Sequence, residues 1–386
     1  MTNQKQTVKF GDICREVKIT SKNPLAEGYD KYIGLEHLDS GSLKIKRWGR
    51  IAEDKPSFTR VFKKGHILFG KRRSYLKKAA IAEFDGICSG DIIVMEPKGD
   101  LMLPELLPLI VQSERFWDWA IKTSAGGLSP RTKFSSLQEC QITLPILSRQ
   151  QRLVEIFDKI LTVINMNEKV IHDLKRVKDS LELKFLKFER IKDKNKLCVL
   201  KDVSKNITDG VHQTVPKLSD GAIPFAFVSS IVNGKLDYES GSFISEKVYE
   251  KISKGKKIQS GDLLYTVVGS YGEVALIESD RRVGFERNIA LIRLNQHLVY
   301  SKYLLAWLSS KYFKHYVETI ATGNAQKLIS LSDVNRFPIK KIDIKEQKTI
   351  GLLFQSIRSE NDLFESKLLD ARQILRSIAT QEFQEG

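Results

Sequence analysis

The sequence predicts an α+β chain: two similar globular domains separated by two long helices that form an antiparallel coiled coil. Three observations predict it. The second half repeats the first at a nearly constant offset, each half closes on a long heptad stripe, and short β-branched and aromatic runs punctuated by glycine precede each stripe.

The repeat is weak in identity and strong in order. VKFGDICREV from Val8 opens the first half and LCVLKDVSKNI from Leu197 the second. GHILFGKRRSYLKKAAIA from Gly65 then matches GDLLYTVVGSYGEVALI from Gly261, with Ser74 over Ser270 and Tyr75 over Tyr271, an offset of 196. LLPLIVQSERFWDWAIKTSAGGLSPRTKFSSL from Leu106 matches LLAWLSSKYFKHYVETIATGNAQKLISLSDV from Leu304, with Phe116 over Phe313 and Gly126 over Gly323, an offset of 197. Each half then passes a proline, Pro145 or Pro338, and enters a helical pattern in which Gln151 and Gln347 are paired. A unit this long is a duplicated domain, since solenoid repeats are far shorter. The boundaries expected are a first domain over 1–148, a first spacer helix over 149–190, a second domain over 191–343 and a second spacer helix over 344–386.

The runs GHILFG, GDIIVMEP, GDLLYTVVG and NIALIRL read as buried strands. The first long helix has a capping box, Ser148 with Gln151, and Asp343 with Glu346 serves the second. Its seam runs Leu153, Phe157, Ile160, Ile164, Asn167, Ile171, Leu174, Lys178, Leu181, Phe185, Phe188. The second runs Ile350, Phe354, Ile357, Asn361, Phe364, Leu368, Ala371, Leu375, Ile378. The steps alternate between four and three, as in a coiled coil. One such stripe also suits a helix packed on its own domain; two, one per repeat, favour mutual pairing. A helix of roughly 40 residues at ~1.5 Å per residue is ~60 Å long, a spacer comparable to nearly two turns of duplex DNA. Asn167 and Asn361 interrupt the seams, as register-setting or solvated positions.

Of 386 residues 41% are hydrophobic, enough to bury a core in each domain, and 63 Lys and Arg against 47 Asp and Glu leave a formal net charge of +16. That excess points to a polyanionic partner. No apolar run reaches the ~18 residues that span a bilayer and MTNQKQTVKFGD lacks a signal-peptide core, so a cytoplasmic protein without membrane contact is expected. Cys14, Cys88, Cys140 and Cys198 form no C-x-x-C pair and read as buried thiols.

Motifs of catalysis are missing. GHILFGK has the spacing of a phosphate loop, but Ile67, Leu68 and Phe69 want a buried strand and Arg72 replaces the magnesium-binding hydroxyl. No dinucleotide fingerprint, methyltransferase tetrad or nucleophile elbow is present, and no two histidines stand four apart. No catalytic residue, cofactor or metal site is expected on this chain.

Basic and small-residue loops at matching places remain. Lys71, Arg72, Arg73, Ser74, Tyr75 and Lys77 follow a strand as phosphate or base-edge contacts require, or form a solvated hairpin; the second copy has the nearly uncharged Ser270 and Tyr271. Gly126, Gly127, Ser129, Arg131 and Lys133 pair with Gly323, Asn324, Gln326 and Lys327, where glycine permits close approach and the polar groups supply donors, or where a turn alone is needed. Asp209, His212 and Gln213 of TDGVHQT make a further polar loop.

These segments, with LPILSRQQRLVEIF from Leu144 and FPIKKIDIKEQKTIGLLF from Phe337, resemble the specificity subunits of type I restriction-modification systems over nearly the whole length. The resemblance implies two target recognition domains reading a two-part double-stranded DNA sequence, with the helices docking two methyltransferase subunits. Those subunits would bring S-adenosylmethionine, and a motor-nuclease subunit would join for cleavage. SAGGLSPRTKF is more basic than ATGNAQKLIS, which leaves the loop residues without a one-to-one assignment. The competing readings are a DNA methyltransferase or nuclease acting alone, which methyl transfer by the purified chain would reveal, and a non-specific nucleic-acid-binding coiled-coil scaffold, which equal binding to unrelated sequences would reveal.

Overall fold

The computed structural model describes residues 5–187, 196–323 and 327–383. The chain divides into two compact units, Met1–Lys169 with Phe364–Gly386, and Val170–Leu363.

The first unit is built on an antiparallel four-stranded sheet in the order Cys14–Glu16, Ile92–Pro97, Ile67–Gly70, Ala79–Ile81. Ile67, Leu68, Phe69 and Gly70 are all buried, so GHILFG is a core strand and no phosphate cradle. A second sheet, Gly49–Arg50, Lys31–Ile33, Gly86–Cys88, Arg60–Phe62, contains one parallel pair. Strand Gln6–Lys9 pairs with Gln141–Leu144, which delivers the chain to the long helix. Helices Leu107–Val111 and Glu114–Lys122 bury Phe116 and Trp117 against Phe10 and Phe69; the Phe69 and Trp117 rings stack at 4.8 Å.

The second unit repeats this plan: its four-stranded sheet runs Ser204–Asp209, Ile289–Leu294, Leu263–Thr266, Val274–Leu276, the same order of equivalent strands. Leu197–Val199 pairs with Pro338–Lys340, and helices Ser301–Ser309 and Lys311–Ile320 cover the sheet. Phe313 is fully buried, as its counterpart Phe116 is, and packs on Phe337 at 5.0 Å between centroids. Ser113 and Ser310 cap the second helix of each pair by accepting from Phe116 N and Phe313 N at 3.3 and 3.2 Å.

The long helices are Leu147–Leu181, continued by a π turn over Glu182–Leu186, and Ile344–Phe383. Within the first unit Leu153, Phe157 and Ile164 share a core with Ala371, Leu375, Ala379 and Phe383. Arg149 meets Glu382, and Glu168 meets Arg372 at 2.7 Å, so numbering falls on one helix as it rises on the other and the pairing is antiparallel. Within the second unit Leu181, Phe185 and Leu186 share a core with Ile350 and Phe354. Phe188 lies outside the described residues. Asn167 is buried and its Nδ2 has no hydrogen-bond partner; Asn361 is half-buried.

The helix entries differ from the expectation in one respect. The first helix starts at Leu147, one residue before Ser148, with Arg149 N and Gln150 N bonded to Ile146 O, so the Ser148–Gln151 box does not form. Gln151 is exposed; the buried Gln150 accepts from Leu103 N at 2.9 Å and donates to Pro145 O at 2.9 Å. Gln347 does the same, accepting from Tyr300 N at 2.9 Å and donating to Ile342 O at 3.0 Å. The paired glutamines are therefore Gln150 and Gln347, which restores the offset of 197, and Pro145 is matched by Ile342 rather than Pro338. Asp343 does cap the second helix, accepting from Lys345 N at 2.7 Å.

Three cysteines are buried and Cys198 is half-buried; burial pushes the Cys88 and Cys140 thiols up to about 12 and about 11, so they remain protonated at neutral pH. No helix among the described residues is long and apolar enough to cross a membrane.

Candidate nucleic-acid interface

In the first unit the two loops expected from the sequence meet beyond the C-terminal end of strand Ile67–Gly70. Strand Ile67–Gly70 runs out into Lys71, whose N–H bonds Asp91 O at 3.0 Å and whose carbonyl accepts from Thr132 N at 3.0 Å. Arg73 N donates to Pro130 O at 2.7 Å, and Ala125 and Arg131 exchange two backbone hydrogen bonds of 2.9 Å. The result is one platform: a basic loop over residues 71–78 stitched to a β-hairpin over 124–132. Gly126 at φ +117° turns the hairpin, a conformation side chains other than glycine rarely adopt, and Gly323 at φ +108° does so in the second unit.

The side chains of the platform are held in different ways. Asp91 holds Arg131 at 2.8 Å and Arg72 at 3.6 Å; the hydrogen bond from Arg131 outweighs partial burial and keeps the Asp91 carboxyl below the usual carboxylate range. Lys77 pairs with Glu114, and Lys78, just beyond it, donates to Leu35 O at 2.8 Å. Ser74 is buried, its hydroxyl shared between Lys71 O and Ser124 Oγ, so it braces the loop from beneath. Arg72 Nη2 and Arg73 Nε both donate to Ser129 Oγ, at 3.3 and 3.2 Å, which fixes their forks toward the hairpin. Facing outward are Arg73, Tyr75 (53% exposed), Gly126, Gly127, Lys133 and, at the hairpin tip, Leu128.

The second unit keeps the backbone and changes the chemistry. Val267 N bonds Asn288 O at 2.8 Å, and Leu328 bridges both Val268 and Thr322, as Arg131 bridges Arg72 and Ala125. Thus Asp91, Arg72 and Arg131 are replaced together by Asn288, Val268 and Leu328: the carboxylate and both its cations go at once. Ser270 is exposed, and its carbonyl accepts from Thr266 Oγ1 at 2.7 Å; Tyr271 packs against the core, unlike Tyr75. Gly323 and Lys327 are exposed; Asn324 and Gln326 lie outside the described residues. At the same sheet edge, Gly210 N bonds Ile289 O, and Asp209 holds His212 Nε2 at 2.6 Å and Lys256 Nζ at 3.6 Å. Gln213 is exposed beside them.

Sequence reading missed Asp91, Glu114 and Leu128. The carboxylates come from the neighbouring strand edge and a helix start, where no local pattern announces a partner. Leu128 belongs to no apolar period and stands between glycines and Ser-Pro, a signal that a search for polar groups passes over. No group of three His, Cys, Asp or Glu side chains among the described residues is placed to hold a metal ion.

Residues 3–176 match the family model of the type I restriction modification DNA specificity domain. The chain is 28% identical to the type I restriction enzyme EcoDI specificity subunit of Escherichia coli over 163 residues, 42% of this chain and 36% of that one. It is 24% identical to the EcoBI specificity subunit of the same organism over 271 residues, 63% and 56% of the two chains, so the match spans about a third to a half of the curated relatives' lengths. The fold matches the crystal structure of a type I restriction-modification system S subunit from M. genitalium, with a TM-score of 0.65 and 14% identity over 99% of this chain and 97% of that one. Residues 3–176, a little under half of the chain, thus match the DNA specificity domain of type I restriction modification, and the chain as a whole is similar in fold to an S subunit of such a system.

Proposed function

We propose that this chain reads a two-part double-stranded DNA target, one part with each unit, and positions the catalytic subunits of a type I restriction-modification complex without contributing catalytic residues itself. The observation that carries the reading is the duplicated platform: one backbone scaffold, stitched by the same hydrogen bonds, bears a strongly basic loop in one unit and a nearly neutral loop in the other. A scaffold held constant under changing loop chemistry is what reading two different sequences requires, because register comes from the framework and base discrimination from the side chains. In the first unit Arg73, Tyr75, Lys71 and Lys133 face the DNA, with Arg72 and Arg131 held by Asp91 as positioned forks. In the second, Ser270, Gly323, Lys327, His212 and Gln213 do so, with Asn324 and Gln326 between them in sequence.

The partners proposed are two methyltransferase subunits, which carry S-adenosylmethionine, and a motor-nuclease subunit, all in the cytoplasm. The net charge of +16 supports the DNA partner by counterion release. The test is co-expression with a type I methyltransferase subunit, followed by mapping of methylated adenines across a plasmid. Two short motifs at a fixed spacing are expected; a single continuous motif, or methylation by the purified chain alone, overturns the reading.

A further inference from the structure

Leu128 is 97% exposed, whereas the next most exposed large apolar side chain among the described residues, Leu369, is 66% exposed. Scattered apolar residues on a surface need no explanation, but a side chain in almost full contact with water at the tip of a built hairpin does. The tip is braced from behind: Ala125 and Arg131 close the loop with an isolated β-bridge, Asp91 holds Arg131, and Ser129, next to Leu128, receives the guanidinium groups of Arg72 and Arg73. Nothing stands within 4 Å of a side-chain position at Gly127, so the tip projects freely. An apolar group is thus presented at the head of a cationic wedge.

On the proposed DNA-reading role this geometry selects a groove. A loop flanked by arginines and tipped by leucine fits the major groove, about 12 Å wide, more readily than the minor groove of about 6 Å. Leucine has no hydrogen-bonding group, and the apolar feature on the floor of the major groove is the 5-methyl group of thymine. We infer that Leu128 is a specificity-determining residue that recognises a thymine by its methyl group, with Arg72, Arg73 and Arg131 seating the hairpin on the flanking phosphates and bases. At the matching point of ATGNAQKLIS the second half carries the smaller apolar alanine, so the longer reach of leucine belongs to the first unit.

Once the target is mapped, the test uses the complex of this chain with its methyltransferase subunit and duplexes in which each target thymine in turn is replaced by deoxyuridine, which deletes just that methyl. For the unaltered complex, replacement at one position is expected to weaken binding about fourfold, the value of one buried methyl. Leu128→Met keeps that sensitivity. Leu128→Ala loses it and binds the unsubstituted duplex more weakly by a similar factor; since the side chain touches nothing in the protein, the fold is unaffected. Insensitivity to deoxyuridine at every position, or an Ala variant that keeps the same sensitivity, overturns the inference, as does a target without thymine in the first unit's part. A rise in 2-aminopurine fluorescence next to the tip, the mark of an opened base step, overturns it in favour of insertion between bases. Failure of the unaltered complex to bind any two-part target would instead remove the DNA-reading role itself.

Discussion

Asp91 decides how much of the basic platform is available to a ligand. It stands 40 residues from Arg131 and 19 from Arg72 in sequence, and only the sheet edge brings the three together. The basic cluster was therefore legible in the sequence, but its internal compensation was not: Lys77 and Lys78 are engaged within the unit, and Ser74 is beneath the surface. The simultaneous replacement of the three charges by Asn288, Val268 and Leu328 in the second unit implies that they work as a set. Asp91→Asn alone leaves two neighbouring cations without their anion and should destabilise the first unit by up to about 1 kcal/mol, the range of partly exposed pairs. Adding Arg72→Val and Arg131→Leu should recover most of that loss in urea unfolding while weakening DNA binding; a triple variant no more stable than the single one would show that the set is not compensatory. Because Arg131 depresses the Asp91 carboxyl, the pair's contribution is complete above the unfolded-state value near 3.8 and is lost as pH falls through the lower folded value. Stability differences between Asp91→Asn and the unaltered chain should therefore vanish in strong acid and persist at neutral pH.

At the scale of elements the heptad stripes were legible because a period near 3.5 persists over many turns, and Leu153, Phe157, Ile164, Ile350, Phe354, Ala371 and Leu375 are buried as that period requires. The entries to the helices were less legible. Ser148 and Gln151 match a capping box in spacing, yet helix geometry begins one residue earlier, and the glutamine that matters turns inward to bond a distant loop. Sequence patterns near a helix start report local hydrogen bonds; Gln150 to Leu103 spans 47 residues and leaves no local trace. Gln150→Ala should cost about 2 kcal/mol, because the Leu103 N–H and the buried Pro145 carbonyl both lose their partner. Gln151→Ala, at an exposed position, should stay within about 0.5 kcal/mol. Equal effects in urea unfolding would restore the capping box and remove the glutamine anchor; the same contrast is expected between Gln347→Ala and Lys348→Ala in the second unit.

Over the whole molecule the duplication is the feature from which the rest follows, and a nearly constant offset exposes it even at low identity, because the strand order of the four-stranded sheet is kept in both units. What the offset hides is that the first unit is not a continuous stretch of chain, whereas the second, Val170–Leu363, is. The first unit is completed by Phe364–Gly386, whose Ala371, Leu375, Ala379 and Phe383 lie in its core and whose Thr380 hydroxyl accepts from Glu114 N at 3.4 Å. The second unit has the matching arrangement: Glu182, at the end of the first long helix, accepts from Lys311 N at 3.0 Å. The starts of the equivalent short helices, Glu114 and Lys311, are thus each met by the C-terminal end of a long helix. This bears on any exchange of specificity between relatives. On the proposed two-part reading, replacing residues 1–150 with those of a relative should change one motif methylated by the complex with the methyltransferase subunit and leave the other unchanged. That chimera keeps the original Thr380 and Phe383 against a foreign core, so it should unfold at lower urea than a second chimera in which residues 364–386 are exchanged as well, while both direct the methyltransferase subunit to the same sequence. Methylation motifs that differ between the two chimeras would place sequence reading in the C-terminal segment and break the assignment of the platform; equal stability would mean that this segment packs on the first unit without regard to which sequence it meets.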